Sequence, residues 1–223
     1  MPPSGSVRAR LWDAPTRLVH WALVVLIGFA WWSAEAGKLE WHRWAGYAVL
    51  GLLVFRLIWG FAGSASARFA SFVRGPAATF AYARTLPSRG RTDLPGHNPL
   101  GGWSVLAILG VLIAQVVTGL FATDIDQLDS GPLSDRVSFE LSRLFSKWHH
   151  WSFQALEVLV ALHLAAVVFY LAYKRANLIA AMITGRQQFA EDPKLAFAPL
   201  WRTALVAVVA AAVAWWASKG FRL

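Results

Sequence analysis

Long apolar runs are the feature that most limits what this chain can fold into. Five segments are almost continuously apolar, and they cover residues 18–34, 44–62, 103–122, 151–173 and 203–217. A helix needs about 20 apolar residues to cross the hydrocarbon core of a membrane, and the first four segments approach that length. The fifth is short and alanine-rich, which predicts a transmembrane or interfacial helix. Because 57% of the 223 residues are hydrophobic, the sequence predicts an all-α integral membrane protein.

The charged residues predict how the chain is oriented in the membrane. The net charge is +9, and the basic residues concentrate before the first segment, between the second and third, and after the fourth. The connection between the third and fourth segments is acidic. By the positive-inside rule, the N-terminus is cytoplasmic and the acidic connection lies outside. This topology accounts for the basic charge, so a nucleic-acid partner is not expected. The first run ends in Trp31 and Trp32, typical of an interfacial aromatic belt, which favours a retained span over a secretory signal.

The absence of cysteine excludes several kinds of redox centre. The chain has no disulfide, no cysteine-ligated iron–sulfur cluster and no thioether-attached haem. Any haem is therefore held non-covalently.

Two histidines of the fourth segment share one helix face. His149 and His163 are fourteen residues apart, close to four helical turns, so their side chains leave the helix within about 40° of each other. The rise between them is about 21 Å, enough to hold two porphyrins at different depths. His150 is rotated about 140° from His163, so we prefer His149 as the ligand and expect an interfacial role for His150.

Two further histidines lie at matching depths. His20 falls near the cytoplasmic end of the first segment, and His42 near the outer end of the second. The expected topology therefore pairs His20 with His163 and His42 with His149. A single membrane histidine is equally well explained by a hydrogen bond between helices, but four at two matched depths favour two haems. His97 precedes the third segment in a polar connection, which predicts a solvated or headgroup histidine.

Three other residues are candidates for haem contact. Gly46 follows His42 by one turn, where a missing side chain lets a macrocycle approach, although it equally permits close helix packing. Arg17 and Arg56 lie towards the cytoplasmic side and are candidates to pair with haem propionates. Snorkelling to the headgroups is the alternative for Arg17, whereas Arg56 lies within an apolar stretch. Glu157 is either a proton relay near a quinone or a packing residue.

Several motifs resemble one known family. They occupy residues 11–21, 41–47, 55–60, 68–76 and 97–99 and the helix that carries His149 and His163. Together they are similar to the bacterial cytochrome b561 and nickel-iron hydrogenase cytochrome b subunit family, over roughly residues 8–185. The resemblance implies a four-helix transmembrane bundle that binds two b-type haems, each with two histidine ligands. It implies the same pairs, His20 with His163 and His42 with His149.

The resemblance also implies a function. Members of this family pass electrons between a partner and the quinone pool of the bacterial cytoplasmic (inner) membrane. The expected partner is an extracytoplasmic hydrogenase or a c-type cytochrome, and the chain would then be an electron-transfer subunit of a respiratory oxidoreductase. Some relatives act alone as superoxide:quinone oxidoreductases. The sequence leaves open whether this chain is itself an enzyme.

The sequence also predicts how the chain is divided into domains. Residues 1–185 are expected to form the dihaem domain, and residues 186–223 a C-terminal tail with the short fifth helix. We also expect a surface helix in the second connection and a short helix near residues 135–145.

Two alternatives come from other classes of protein, a transporter and a histidine-based metal-binding membrane protein. A single metal site would need its ligands to converge, whereas these histidines fall at two levels.

Overall fold

The computed structural model describes residues 7–89, 94–126 and 129–222, and it is mainly helical. In this described part the helices are α1 (Ala14–Glu35), α2 (Leu39–Ala62), α3 (Phe69–Phe72), α4 (Pro76–Ala83), α5 (Pro99–Phe121), α6 (Phe139–Ala172), α7 (Leu178–Thr184) and α8 (Leu200–Ser218). Two short strands, β1 (Val7–Arg10) and β2 (Arg186–Phe189), form an antiparallel ribbon.

Five of these helices are long and apolar enough to cross a membrane: α1, α2, α5, α6 and α8. The expected all-α membrane fold is therefore confirmed, and the fifth segment forms a helix of 19 residues. Side chains such as Val158 and Leu162 of α6 are 60% and 61% exposed, as expected where lipid rather than protein covers a helix. Successive spanning helices run in alternating directions along the bundle. We call the end at which α1 begins the proximal end and the opposite end the distal end.

Local sequence signals define where the spanning helices start. The Asp13 carboxylate accepts a hydrogen bond from the Thr16 backbone N–H at 2.8 Å, which caps α1. The Asn98 side chain caps α5 in the same way through Gly101. Ser138 caps α6, which runs on for 34 residues. The short helix expected near residues 135–145 is therefore a single turn at Ser134–Arg136 followed by the start of α6. In the second connection, the expected surface helix appears as the short helices α3 and α4.

The spanning helices pack as two pairs. α1 packs along α2, and α5 packs along α6. α2 also contacts α5 and carries α8 on another side. In contrast, α6 has no extensive contact with α1 or α2, although all three helices are fully described. A cleft therefore separates α6 from the α1–α2 pair.

The ribbon and α7 cover the proximal end. β1 and β2 pair over four residues each, from Val7 opposite Phe189 to Arg10 opposite Arg186. Together with Leu11 and Trp12 they bury a small apolar cluster beneath the bundle. The Arg17 side chain donates to the backbone carbonyl of Ile183 at 2.6 Å, so it holds the start of α1 against α7.

Candidate haem site

The cleft between the helix pairs contains the four expected histidines. The rings of His42 on α2 and His149 on α6 lie next to each other, with centroids 5.9 Å apart and ring planes nearly perpendicular. Those of His20 on α1 and His163 on α6 are 6.5 Å apart. Two imidazoles that hold one metal ion from opposite sides, with metal–nitrogen bonds of about 2 Å, have centroids roughly 6 Å apart. We call the His42–His149 pair the distal pair and the His20–His163 pair the proximal pair.

The distal pair is oriented by backbone carbonyls. His42 Nδ1 donates to the Ala30 carbonyl at 2.8 Å, and His149 Nδ1 donates to the Gln115 carbonyl at 2.8 Å. A carbonyl oxygen only accepts, so the proton of each ring is on Nδ1 and the lone pair is on Nε2. This is the arrangement in which a histidine ligates a metal through Nε2. In the structure the Gln115 amide lies 3.1 Å from His149 Nε2, so a metal there requires this side chain to turn away.

A cavity of about 480 Å³ opens beside the distal pair. Both histidines line it, together with Gly46 and Gly119. A Cβ added to Gly46 would meet no atom within 4 Å, so this glycine faces open space rather than a neighbouring helix. A Cβ added to Gly119 would lie 2.9 Å from His149 Cε1, so glycine is needed there for His149 to approach α5. Gly119 has no distinguishing signal in the sequence, because its role depends on how closely α6 approaches α5.

His150 and Glu157 lie at the edge of this cavity. His150 Nε2 is 3.2 Å from the Gln154 side-chain amide, and His150 does not join the distal pair. The cavity edge also includes Arg43, which forms an ion pair with Asp129 at 2.7 Å. Asp135 pairs with Arg222, so part of the acidic charge at the distal end is neutralised within the chain.

The proximal pair is surrounded by buried polar atoms that lack partners. Among the described residues, six buried side-chain polar atoms have no hydrogen bond, and five of them belong to the proximal end. The five are Thr16 Oγ1, Arg17 Nε, His20 Nδ1, Arg56 Nη1 and His97 Nδ1. An unsatisfied buried polar group costs roughly 1–3 kcal/mol, and more when it is charged. Their concentration in one place indicates that a polar ligand belongs there.

His97 is not fully solvated as expected. Its ring lies between Trp12 and Phe72, with centroids 5.0 Å and 4.7 Å away, and the side chain is half-buried. Burial lowers the pKa of His97 to about 3, and the neighbouring Arg56, His163 and His20 act in the same direction. His97 is therefore neutral near pH 7. The connection before α5 folds back against Trp12 and α3, a contact between distant segments that its polar composition does not predict.

These features fit a membrane protein that carries haem between its helices. The paired imidazoles at ligand spacing, the cavity at one pair and the unsatisfied polar atoms at the other are each compatible with a bound haem and its carboxylate groups. Among the described residues, no group of three or more histidine, aspartate or glutamate side chains converges on one point. The geometry is therefore that of two separate two-histidine sites.

Comparison with known proteins defines the family. The model of the prokaryotic cytochrome b561 family matches residues 11–185, and the chain belongs to this family. The protein is accordingly a multi-pass membrane cytochrome of the b type, which binds haem and functions in electron transfer across a membrane. No curated protein and no solved structure gives a significant match.

Proposed function

We propose that this cytochrome binds two b-type haems and passes electrons between a redox partner outside the cytoplasmic membrane and the quinone pool within it. The observation that carries the proposal is that two histidines of α6 each lie beside a histidine of the α1–α2 pair. His149 and His163 each meet a histidine from the α1–α2 pair, and fourteen residues of α6 separate the two levels, about 21 Å. Residues 1–185 would form the haem-binding unit.

The chain's own residues would hold and orient each haem. His42 and His149 would ligate the iron of the distal haem through Nε2, because backbone carbonyls bind their Nδ1 protons. Gly46 would leave room for the macrocycle, and Arg17 and Arg56 would contact the proximal haem. Bound haem would supply one-electron exchange between ferrous and ferric iron. Two histidine ligands at each iron leave no open position, so oxygen activation at iron is not expected.

The orientation follows from charge. The proximal end carries the basic residues of β1, the second connection and the segment after α6, so it would face the cytoplasm. The distal end would then face the extracytoplasmic partner, a hydrogenase or a c-type cytochrome. Steady quinone reduction by the isolated chain, driven by superoxide, would instead identify a stand-alone oxidoreductase.

A reduced-minus-oxidised visible spectrum with haem quantified per polypeptide tests the proposal. We expect two low-spin b-type haems in the wild type and one in each of His163→Ala and His149→Ala. His150→Ala should retain both, because His150 has no facing histidine. A colourless protein, or two haems in either ligand variant, would contradict the proposed sites.

A further inference from the structure

Arg56 is a buried cation that forms no ion pair in the described part of the chain. It is 8% exposed and lies six residues before the end of α2, roughly 9 Å along the helix. Its guanidinium lies over the Phe69 ring at 4.9 Å, and Nη1 makes no hydrogen bond. The cation–π contact compensates only part of the cost of burying a charge that has no ion-pair partner. An anion beside Arg56 would therefore stabilise its buried guanidinium.

The Asp13 carboxylate acts on Arg56 through space, but no carboxylate among the described residues forms an ion pair with it. Asp13 is the buried carboxylate at this end of the bundle, and it contacts Trp59, one turn after Arg56 on α2. Its two oxygens are already engaged, one by the Thr16 backbone N–H at 2.8 Å and the other by the Trp59 indole at 3.0 Å. It forms no ion pair with Arg56, and the ion pairs among the described residues lie elsewhere.

His97 offers a second unsatisfied donor in the same region. Phe69, beneath the Arg56 guanidinium, contacts Phe72 with ring centroids 5.9 Å apart, and Phe72 contacts His97 at 4.7 Å. His97 Nδ1 is buried without a partner, like Arg56 Nη1. Trp12 and Phe72 hold the ring from two directions, so its orientation is set by packing and not by a hydrogen bond. A guanidinium nitrogen and an imidazole nitrogen thus both lack a hydrogen-bond partner close to the proximal pair.

We propose that Arg56 and His97 together form a carboxylate-binding site that receives a propionate of the proximal haem. A guanidinium and an imidazole N–H are donors suited to the two oxygens of one carboxylate. The site would direct the polar edge of that haem towards α2 and the connection before α5, rather than towards α7. This assignment rests on the proposed function, because it requires a haem on His20 and His163.

Redox titration of the purified haem-loaded protein is the first test. The proximal haem is identified as the one that His163→Ala lacks. Removing a positive charge beside it favours the ferric state, so Arg56→Gln should lower its reduction equilibrium constant about tenfold, which is 59 mV for a one-electron couple. Arg56→Lys should restore most of the loss. Arg202→Gln is the matched control, because Arg202 is a partly buried cation at the same end of the bundle that binds the Ala62 carbonyl at 3.1 Å.

The second test identifies the carboxylate. Haem dimethyl ester, which lacks propionate charge, is loaded into wild type, Arg56→Gln and His97→Phe, and retention of the proximal haem is measured. The ester should weaken retention about tenfold in the wild type but much less in either variant. Equal weakening in all three proteins would overturn the proposal. So would a potential that responds to added phosphate but not to esterification, which would identify a free anion.

The two proposals fail in different ways. A wild type without a proximal haem would overturn the proposed function, and this assignment with it. A proximal haem whose potential is the same in Arg56→Gln and Arg202→Gln would overturn only the carboxylate site, and the two-haem function would stand.

Discussion

Gly46 keeps part of the distal cavity empty. A Cβ added there meets no atom within 4 Å, and the residue lines the cavity of about 480 Å³. Gly46→Phe should fill this space and strongly reduce distal haem content while leaving the proximal haem in place. Haem per polypeptide and the difference spectrum measure the effect. Gly28→Phe is the control, because its Cβ also meets nothing within 4 Å but Gly28 lies on the exposed face of α1. Equal haem loss in both variants would contradict the role of Gly46.

Gly119 is expected to act through the position of His149 and not through the size of the cavity. An alanine Cβ there would lie 2.9 Å from His149 Cε1 and 3.1 Å from Nδ1, so the imidazole or α5 has to shift. Small displacements of a metal ligand commonly weaken binding, and Gly119→Ala should lower distal haem occupancy severalfold. Gly110→Ala on the same helix should have no effect, because its Cβ meets nothing within 4 Å. Full occupancy of the distal haem in Gly119→Ala would show that α5 shifts and His149 keeps its position.

At the scale of elements, the α2–α8 contact is a tightly packed interface. Val206 and Ala210 of α8 are buried against Phe55 and Trp59 of α2. Inserting methylenes into such packing costs about 1–3 kcal/mol. Ala210→Leu should therefore lower the free energy of unfolding in detergent by that amount, with both haems retained. Ala211→Leu, on the exposed side of α8, should leave it unchanged. Equal stability of the two variants would mean that α8 packs loosely.

Helix positions followed from the sequence wherever burial in lipid determines them. The apolar runs located α1, α2, α5 and α8 within a few residues. The apolar run placed the start of α6 too late, because the first three turns of this helix mix charged and polar residues with apolar ones. These turns are held by the Ser138 cap and by the Ser142 hydroxyl, which donates to the Phe121 carbonyl. The β1–β2 ribbon gave no signal, since each strand has four residues and its partner is distant in sequence. Such pairing depends on tertiary structure, which composition does not encode.

The site was predictable to the extent that helix periodicity fixes it. Spacing and depth predicted which histidines face each other, and the structure brings those rings together. Their role as haem ligands remains a prediction. The enclosure of His97 and the contact of Gly119 with His149 were not predictable, because each depends on how two separate elements approach. For the same reason, the shortage of partners around Arg56 became visible only in three dimensions.

At the scale of the whole molecule, the two levels of the cleft differ electrostatically. At the distal pair, both Nδ1 protons are donated to carbonyls, which would make the imidazoles stronger electron donors to a bound iron and so favour its ferric state. The nearby Arg43 is neutralised by Asp129. At the proximal pair, His20 Nδ1 has no partner and Arg56 forms no ion pair within the described residues, so its positive charge would favour ferrous iron. The proximal haem should therefore have the higher reduction potential.

This difference predicts the order of reduction. In a redox titration of the wild type, the haem that His163→Ala lacks should be reduced first, and the one that His149→Ala lacks should follow at lower potential. Arg56→Gln should lower the reduction potential of the proximal haem only, and so reduce the difference between the two potentials. Electrons entering at the distal end would then run downhill towards the proximal end, about 21 Å along α6. Reduction of the distal haem first would reverse that direction, and it would mean that the hydrogen bonds to His42 and His149 are not what sets the potentials.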